Sequence, residues 1–132
     1  MSDQPLDVAA HRVHVDAAGA GATALFCGVV RDRDADRHVV ELEYEAYPGA
    51  ADVLRTVAEE IAAEPDVIAV AVSHRVGVLG IGDVALVAAV SCAHRREAFD
   101  ACARLVDEVK HRLPVWKRQV FADGTDEWVN CP

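Results

Sequence analysis

Val84-Ala-Leu-Val-Ala-Ala-Val-Ser91, His94-Arg-Arg-Glu-Ala-Phe99 and Lys110-His-Arg-Leu-Pro-Val-Trp-Lys-Arg-Gln-Val-Phe121 follow one another along the chain and decide its fold. The first is a nearly unbroken apolar run of strand length. Beyond it, Phe99, Cys102, Val106, Val109 and Leu113 recur at helical spacing and predict an inward-facing helix stripe. Pro114 stops that helix, because proline lacks an N–H and its ring clashes with the preceding turn. Val115–Phe121 then reads as a returning strand.

Upstream, Pro48-Gly49 marks a turn before a helix with Val53, Leu54, Val57 and Ile61 on one face, ending near Glu64-Pro65. Val67–Ser73 is a strand, and Gly77, Gly80 and Gly82 punctuate its link to Val84. Val40, Leu42, Tyr44 and Ala46 alternate with Glu41, Glu43 and Glu45, the period-two mark of a half-exposed strand. Thr23–Val30 reads as a buried strand and Arg12–Val15 as a first one, with Arg31–Arg37 a charged, mobile-looking loop. Glu127–Val129 is a short terminal extension. The order β-β-β-α-β-β-α-β predicts an α+β fold, with a mixed, largely antiparallel sheet and two main helices on one face. Residues 1–132 are expected to form a single domain.

A hydrophobic content of 52% with 27% charged residues describes a globular chain rather than a disordered one. The net charge of −9 argues against non-specific nucleic-acid binding, which needs a broad basic surface. No apolar run reaches membrane-span length, and Met1–Asp7 lacks the features of a signal peptide, so the cytoplasm is expected. The cysteines at 27, 92, 102 and 131 contain no Cys-x-x-Cys pair. The first three sit in apolar stretches and read as core residues; Cys131, beside the terminus, is expected to be exposed. A Cys92–His94 nucleophile pair is the one thiol arrangement on offer. No metal-ligand spacing, phosphate-binding P-loop or nucleophile elbow is present, so no cofactor is expected.

Against this acidic background, His94–Gln119 holds seven Lys/Arg and four Asp/Glu, a net +3. The remaining six cations and eighteen anions make −12. Such an island suggests a site for a small anion or a carboxylate-ended partner, although a solvated basic helix face would also account for it. His94, Arg95 and Arg96 stand at the start of the long helix, where cations oppose the helix dipole. They make better sense with an anion held between them and the free N–H groups. Lys110 and Lys117 flank Pro114, and the turn there could bring both ammonium groups to one pocket. Paired lysines lower one another's pKa and can supply charge stabilisation and proton transfer. Taken singly, they are a helix-end cation and a surface lysine. His74-Arg75-Val76-Gly77 ends a strand and reads as a polar contact or a structural turn.

Several segments together resemble the large, catalytic subunit of molybdopterin synthase. They are Phe26-Cys-Gly-Val-Val-Arg31, Leu42-Glu-Tyr-Glu-Ala-Tyr47, His74-Arg-Val-Gly77 with Ile81-Gly-Asp83, His94–Phe99 and Lys110–Arg118. The resemblance runs from about Val13 to Val129 and implies an α/β hammerhead. It also implies a sulfurtransferase that converts a cyclic pyranopterin monophosphate into the molybdopterin dithiolene. The sulfur would come from a thiocarboxylate on the C-terminal Gly-Gly of a small ubiquitin-like carrier. The implied assembly is a central homodimer flanked by two carriers, a heterotetramer. By the same resemblance, Lys117 and Lys110 are the catalytic lysines, His94 and Arg95 hold the substrate phosphate, and Arg31 and Phe26 lie near substrate or tail. Asp36 stands where the family has Gly, Ala50 where Met is common and Gln119 where Glu is common. The chain ends at Pro132 where relatives continue with a basic residue that reaches the neighbouring subunit's site, so that contribution is expected to be absent or taken by another arginine. The competing readings are a non-catalytic α+β module binding a phosphorylated metabolite or a partner's acidic tail, and a thiol-dependent sulfurtransferase using Cys92 or Cys102.

Overall fold

A computed structural model describes residues 1–129; the expected exposure of Cys131 lies outside the described residues. The elements are α1 (Val8–His14), β1 (Ala22–Val29), β2 (Arg33–Asp34), β3 (Arg37–Ala46), α2 (Ala50–Ala62), β4 (Val67–His74), β5 (Gly77–Leu79), β6 (Val84–Cys92), α3 (Arg95–Arg112), β7 (Val115–Phe121) and β8 (Asp126–Val129). The architecture is the expected α+β. In detail the strands divide into two sheets: β1-β6-β4, and β2-β3-β7-β8 with β5 also on β3. Among the described residues every strand ladder is antiparallel, and the parallel element is one bridge, Ser2 to Arg75.

β6 is the centre of the molecule, buried from Ala85 to Cys92 as its apolar run requires. Leu86, Ala88, Val90 and Cys92 face the main core, where α2 adds Leu54, Val57 and Ile61, and α3 adds Ala101, Cys102, Leu105 and Val109. α2 and α3 lie side by side on this sheet, joined at the surface by Arg104 to Glu64 (2.9 and 2.5 Å) and by Arg112 to Glu60. No helix among the described residues is long and apolar enough to cross a membrane.

Three expectations need correction, and two links gain detail. Arg12–Val15 is not a strand but the end of α1, whose N-cap Asp7 accepts a bond from the Ala10 N–H at 3.0 Å. Arg31–Arg37 is not a loose loop but holds a β-hairpin: Asp34 pairs with Arg37 around Ala35 (φ 47°) and Asp36 (φ 66°). Two successive left-handed residues match the right-handed twist of a two-residue hairpin, and Asp tolerates that conformation better than most side chains. The glycine-marked link after His74 carries β5, and the terminal extension is β8, paired with β7. Finally Phe99 faces outward, 66% exposed, because the buried stripe of α3 runs through Ala98, Ala101, Cys102 and Leu105 instead.

Candidate active site

The turn at Pro114 does what the sequence suggests. Leu113 leaves α3 in an extended conformation (φ −70°, ψ 118°) while its N–H still bonds Val109 O at 2.9 Å. Val115 then enters β7 opposite Ala46, which sets Lys117 opposite Tyr44. Strand alternation puts Lys117 and Gln119 on the face shared with buried Val115 and Phe121. Lys110, in the last turn of α3, meets Lys117 across a cavity of about 260 Å³. Arg31, Arg33, Asp34, Tyr44, His74 and Gln119 complete its polar lining. Arg31 comes from the end of β1, so three of the six expected site residues converge.

The other three do not join them within one chain. His94 is the N-cap of α3, exposed, with no side-chain cap bond, and Arg95 follows it into solvent. Fifteen residues separate Arg95 from Lys110, about 22 Å along the helix axis at its usual rise. A pocket combining His94, Arg95, Lys110 and Lys117 is therefore not built by a single copy. Phe26, half-buried in β1, lines a different feature: an apolar groove of about 350 Å³ shared with Leu25, Phe99, Cys102 and Val106.

Other cations of the basic island have structural partners. Arg112 pairs with Glu60 of α2, Arg104 with Glu64 just beyond it, and Arg118 holds Asp126 at 2.6 Å and Glu43 at 3.7 Å. The thiol reading finds no support: burial pushes the Cys92 and Cys102 thiols up, away from the reactive thiolate.

His74, read from sequence as a turn or a contact, is both. It is 1% exposed, and its Nδ1 lies 2.7 Å from Arg75 O. A carbonyl only accepts, so Nδ1 carries the hydrogen and Nε2 the lone pair. Burial, opposed by the Arg75 bond and aided by the charge of Lys110, lowers its pKa to about 4. It is thus a neutral wall beside a cationic site. The lining residues given no role from sequence are Arg33, Asp34, Tyr44 and Gln119; the spacing of Gln119 two residues beyond Lys117 on a strand was the available signal for the last.

The MoaE protein family model matches residues 1–112. The molybdopterin synthase catalytic subunit 1 of Mycobacterium tuberculosis is 40% identical over 132 residues, covering 98% of this chain and 88% of that protein. The crystal structure of molybdopterin synthase from Staphylococcus aureus superposes with a TM-score of 0.87 at 32% identity, covering 96% of this chain and 92% of that one. A protein–protein complex of subunits 1 and 2 of the Helicobacter pylori molybdopterin-converting factor contains the same fold, with a TM-score of 0.66, 18% identity and coverage of 85% and 72%. On the family match and these identities, the chain belongs to the MoaE family, an enzyme family of molybdopterin synthase catalytic subunits.

Proposed function

We propose that this subunit transfers sulfur to a cyclic pyranopterin monophosphate, forming the dithiolene of molybdopterin, with the sulfur delivered as a thiocarboxylate on the Gly-Gly tail of a small ubiquitin-like carrier. The observation that carries this reading is the convergence of Lys110, Lys117 and Arg31 on one open cavity of an otherwise acidic protein. A thiocarboxylate sulfur attacking a pterin carbon builds up anionic charge, and the departing oxygen needs a proton. Lys117, half-buried and fixed by the β3–β7 ladder, is suited to give that proton. Lys110 stabilises the charge and receives the tail, and Arg31 binds anionic groups of the substrate.

His94 and Arg95 fit this scheme as the phosphate ligands of a second copy. β1 ends its sheet with one edge unpaired by any described strand. Along β1, Ala22 pairs with Cys92 near His94, while Val29 pairs with Val84 near Arg31. Two copies meeting antiparallel along this edge would bring the His94 end of each to the Arg31 end of the other. The exposed Phe99 and the groove with Leu25 and Phe26 supply the apolar contact such a dimer needs. With a carrier on each copy, the assembly is a heterotetramer. The deciding experiment is repeated turnover of pterin monophosphate with thiocarboxylated carrier. Binding of both partners without product would instead identify a non-catalytic module.

A further inference from the structure

Five side chains form a line of contacts beneath the β2–β3 hairpin, with a neutral amide at its centre. Arg37 lies 3.9 Å from Glu127. Gln119 Nε2 donates to Glu127 Oε1 at 3.2 Å and to Asp34 Oδ2 at 2.8 Å. Asp34 Oδ1 lies 3.9 Å from Arg31. Gln119 is 4% exposed, while the carboxylates it bonds, Asp34 and Glu127, are 38% and 45% exposed, so water reaches these bonds from the acceptor side only. Only the –NH2 end of the amide can face two carboxylates, and its two hydrogens match the two acceptors. A carboxylate at this position would have nothing to donate and would add a third negative charge to the pair.

The hairpin's other ties lie mostly on its outer side, where Arg37 donates to Thr125 Oγ1 at 2.6 Å and lies 3.8 Å from Asp123, and Ala122 N–H bonds His38 O at 2.8 Å. Its ladder is two residue pairs long, its turn consists of two left-handed residues, and Val39 N–H reaches back to Asp32 O at 2.8 Å. Arg37 stacks on the Phe121 ring at 3.5 Å and anchors the outer side. The inner side, which leads to Arg31, is anchored by the backbone of Val30, bonded to Asp83 O at 2.9 Å and to Gly82 N–H at 2.8 Å, and by the side chain of Asp34.

We propose that Gln119 is a positioning residue: through Asp34 it fixes the Arg31-bearing segment at the lysine cavity, and its neutral amide lets Asp34 and Glu127 share one donor. The consequence for substrate rests on the reading of Arg31 as an anion-binding residue; the effect on the hairpin does not.

The test uses the full chain with Gln119→Glu, Gln119→Glu/Asp34→Asn and Asp34→Ala. Amide hydrogen exchange over residues 32–39 is measured beside KM and kcat for the pterin monophosphate with thiocarboxylated carrier. Gln119→Glu should speed hairpin exchange and raise KM by roughly tenfold, the factor of one misplaced hydrogen bond, with a smaller change in kcat and β6 amides still protected. Adding Asp34→Asn reverses donor and acceptor in that one bond and should recover both in part, since two carboxylates still face each other at Glu127. Asp34→Ala, at a partly exposed position, should reproduce the loosened hairpin even where Gln119→Glu fails to fold. Unchanged exchange in Asp34→Ala, or no recovery in the double variant, overturns the proposal. A parent chain that does not turn over the pterin overturns the sulfur-transfer reading instead, and the exchange measurement then decides the role of Gln119 alone.

Discussion

The imidazole of His74 meets the ring of Tyr44 edge-on, with centroids 4.7 Å apart and planes at 86°. This contact seals the wall of the lysine cavity with a group that resists protonation. An unfolded histidine titrates near 6.5, whereas His74 in the fold does so at about 4. Between those values the unfolded chain takes up a proton that the folded chain refuses, so stability falls as the pH drops through this window and levels off below it. The loss amounts to at most about 3 kcal/mol. In urea unfolding at pH 7 and pH 4.5, His74→Leu should reduce the stability difference between the two conditions by about 2 kcal/mol. An undiminished difference would mean that the acid sensitivity arises elsewhere.

Removing either ammonium tests the chemistry. Lys117→Ala and Lys110→Ala should each lower turnover at least ~100-fold, with the fold unchanged by circular dichroism. Lys117→Arg should restore little, because a guanidinium holds its proton at any working pH. Near-parent turnover in both Ala variants, with carrier and pterin saturating, would eliminate the lysine mechanism.

Arg95→Ala addresses anion recognition at the other end of α3. Losing one charge-assisted hydrogen bond to the phosphate should weaken pterin monophosphate binding by roughly 1.5–3 kcal/mol. Calorimetric titration reads this directly, and an unaltered affinity would remove Arg95 from the phosphate site.

Phe99→Asp places a charge on the outward face of α3 without disturbing its buried stripe. Sedimentation at micromolar concentration should find the parent dimeric and this variant monomeric. A variant that remains dimeric would exclude the β1–α3 face as the contact.

Gly21 has a steric rather than a conformational reason to be glycine. A Cβ added there would sit 2.4 Å from the carbonyl oxygen of Ala93. Gly21→Ala should therefore cost roughly 1–3 kcal/mol of stability, read as a lower urea midpoint, because backbone must move to admit the methyl group.

The strands and long helices were legible because their apolar residues recur with the period of the element. α1 escaped because none of its residues is buried, leaving no stripe to read; its signal was the capping Asp7. Phe99 was misplaced for the opposite reason: an apolar residue reserved for another surface looks like core in a one-dimensional pattern. Within the site, Lys110 and Lys117 were readable through the Pro114 turn, which is local. The bond from Gln119 to Asp34 was not, since it joins residues 85 positions apart through a hairpin whose turn lacks glycine.

The eighteen residues of α3 keep the Arg95 end and the lysine end of each copy apart. In the proposed dimer every reaction centre is then a hybrid, drawing one end from each parent chain. Two damaged alleles, one altered at Arg95 and the other at Lys117, would each alone give dimers impaired at both centres. Expressed together, they would assemble mixed dimers in which one of the two centres inherits only intact ends. Alleles damaged at the same end would have no such remedy, so a genetic cross would map the helix as two complementation groups within one gene.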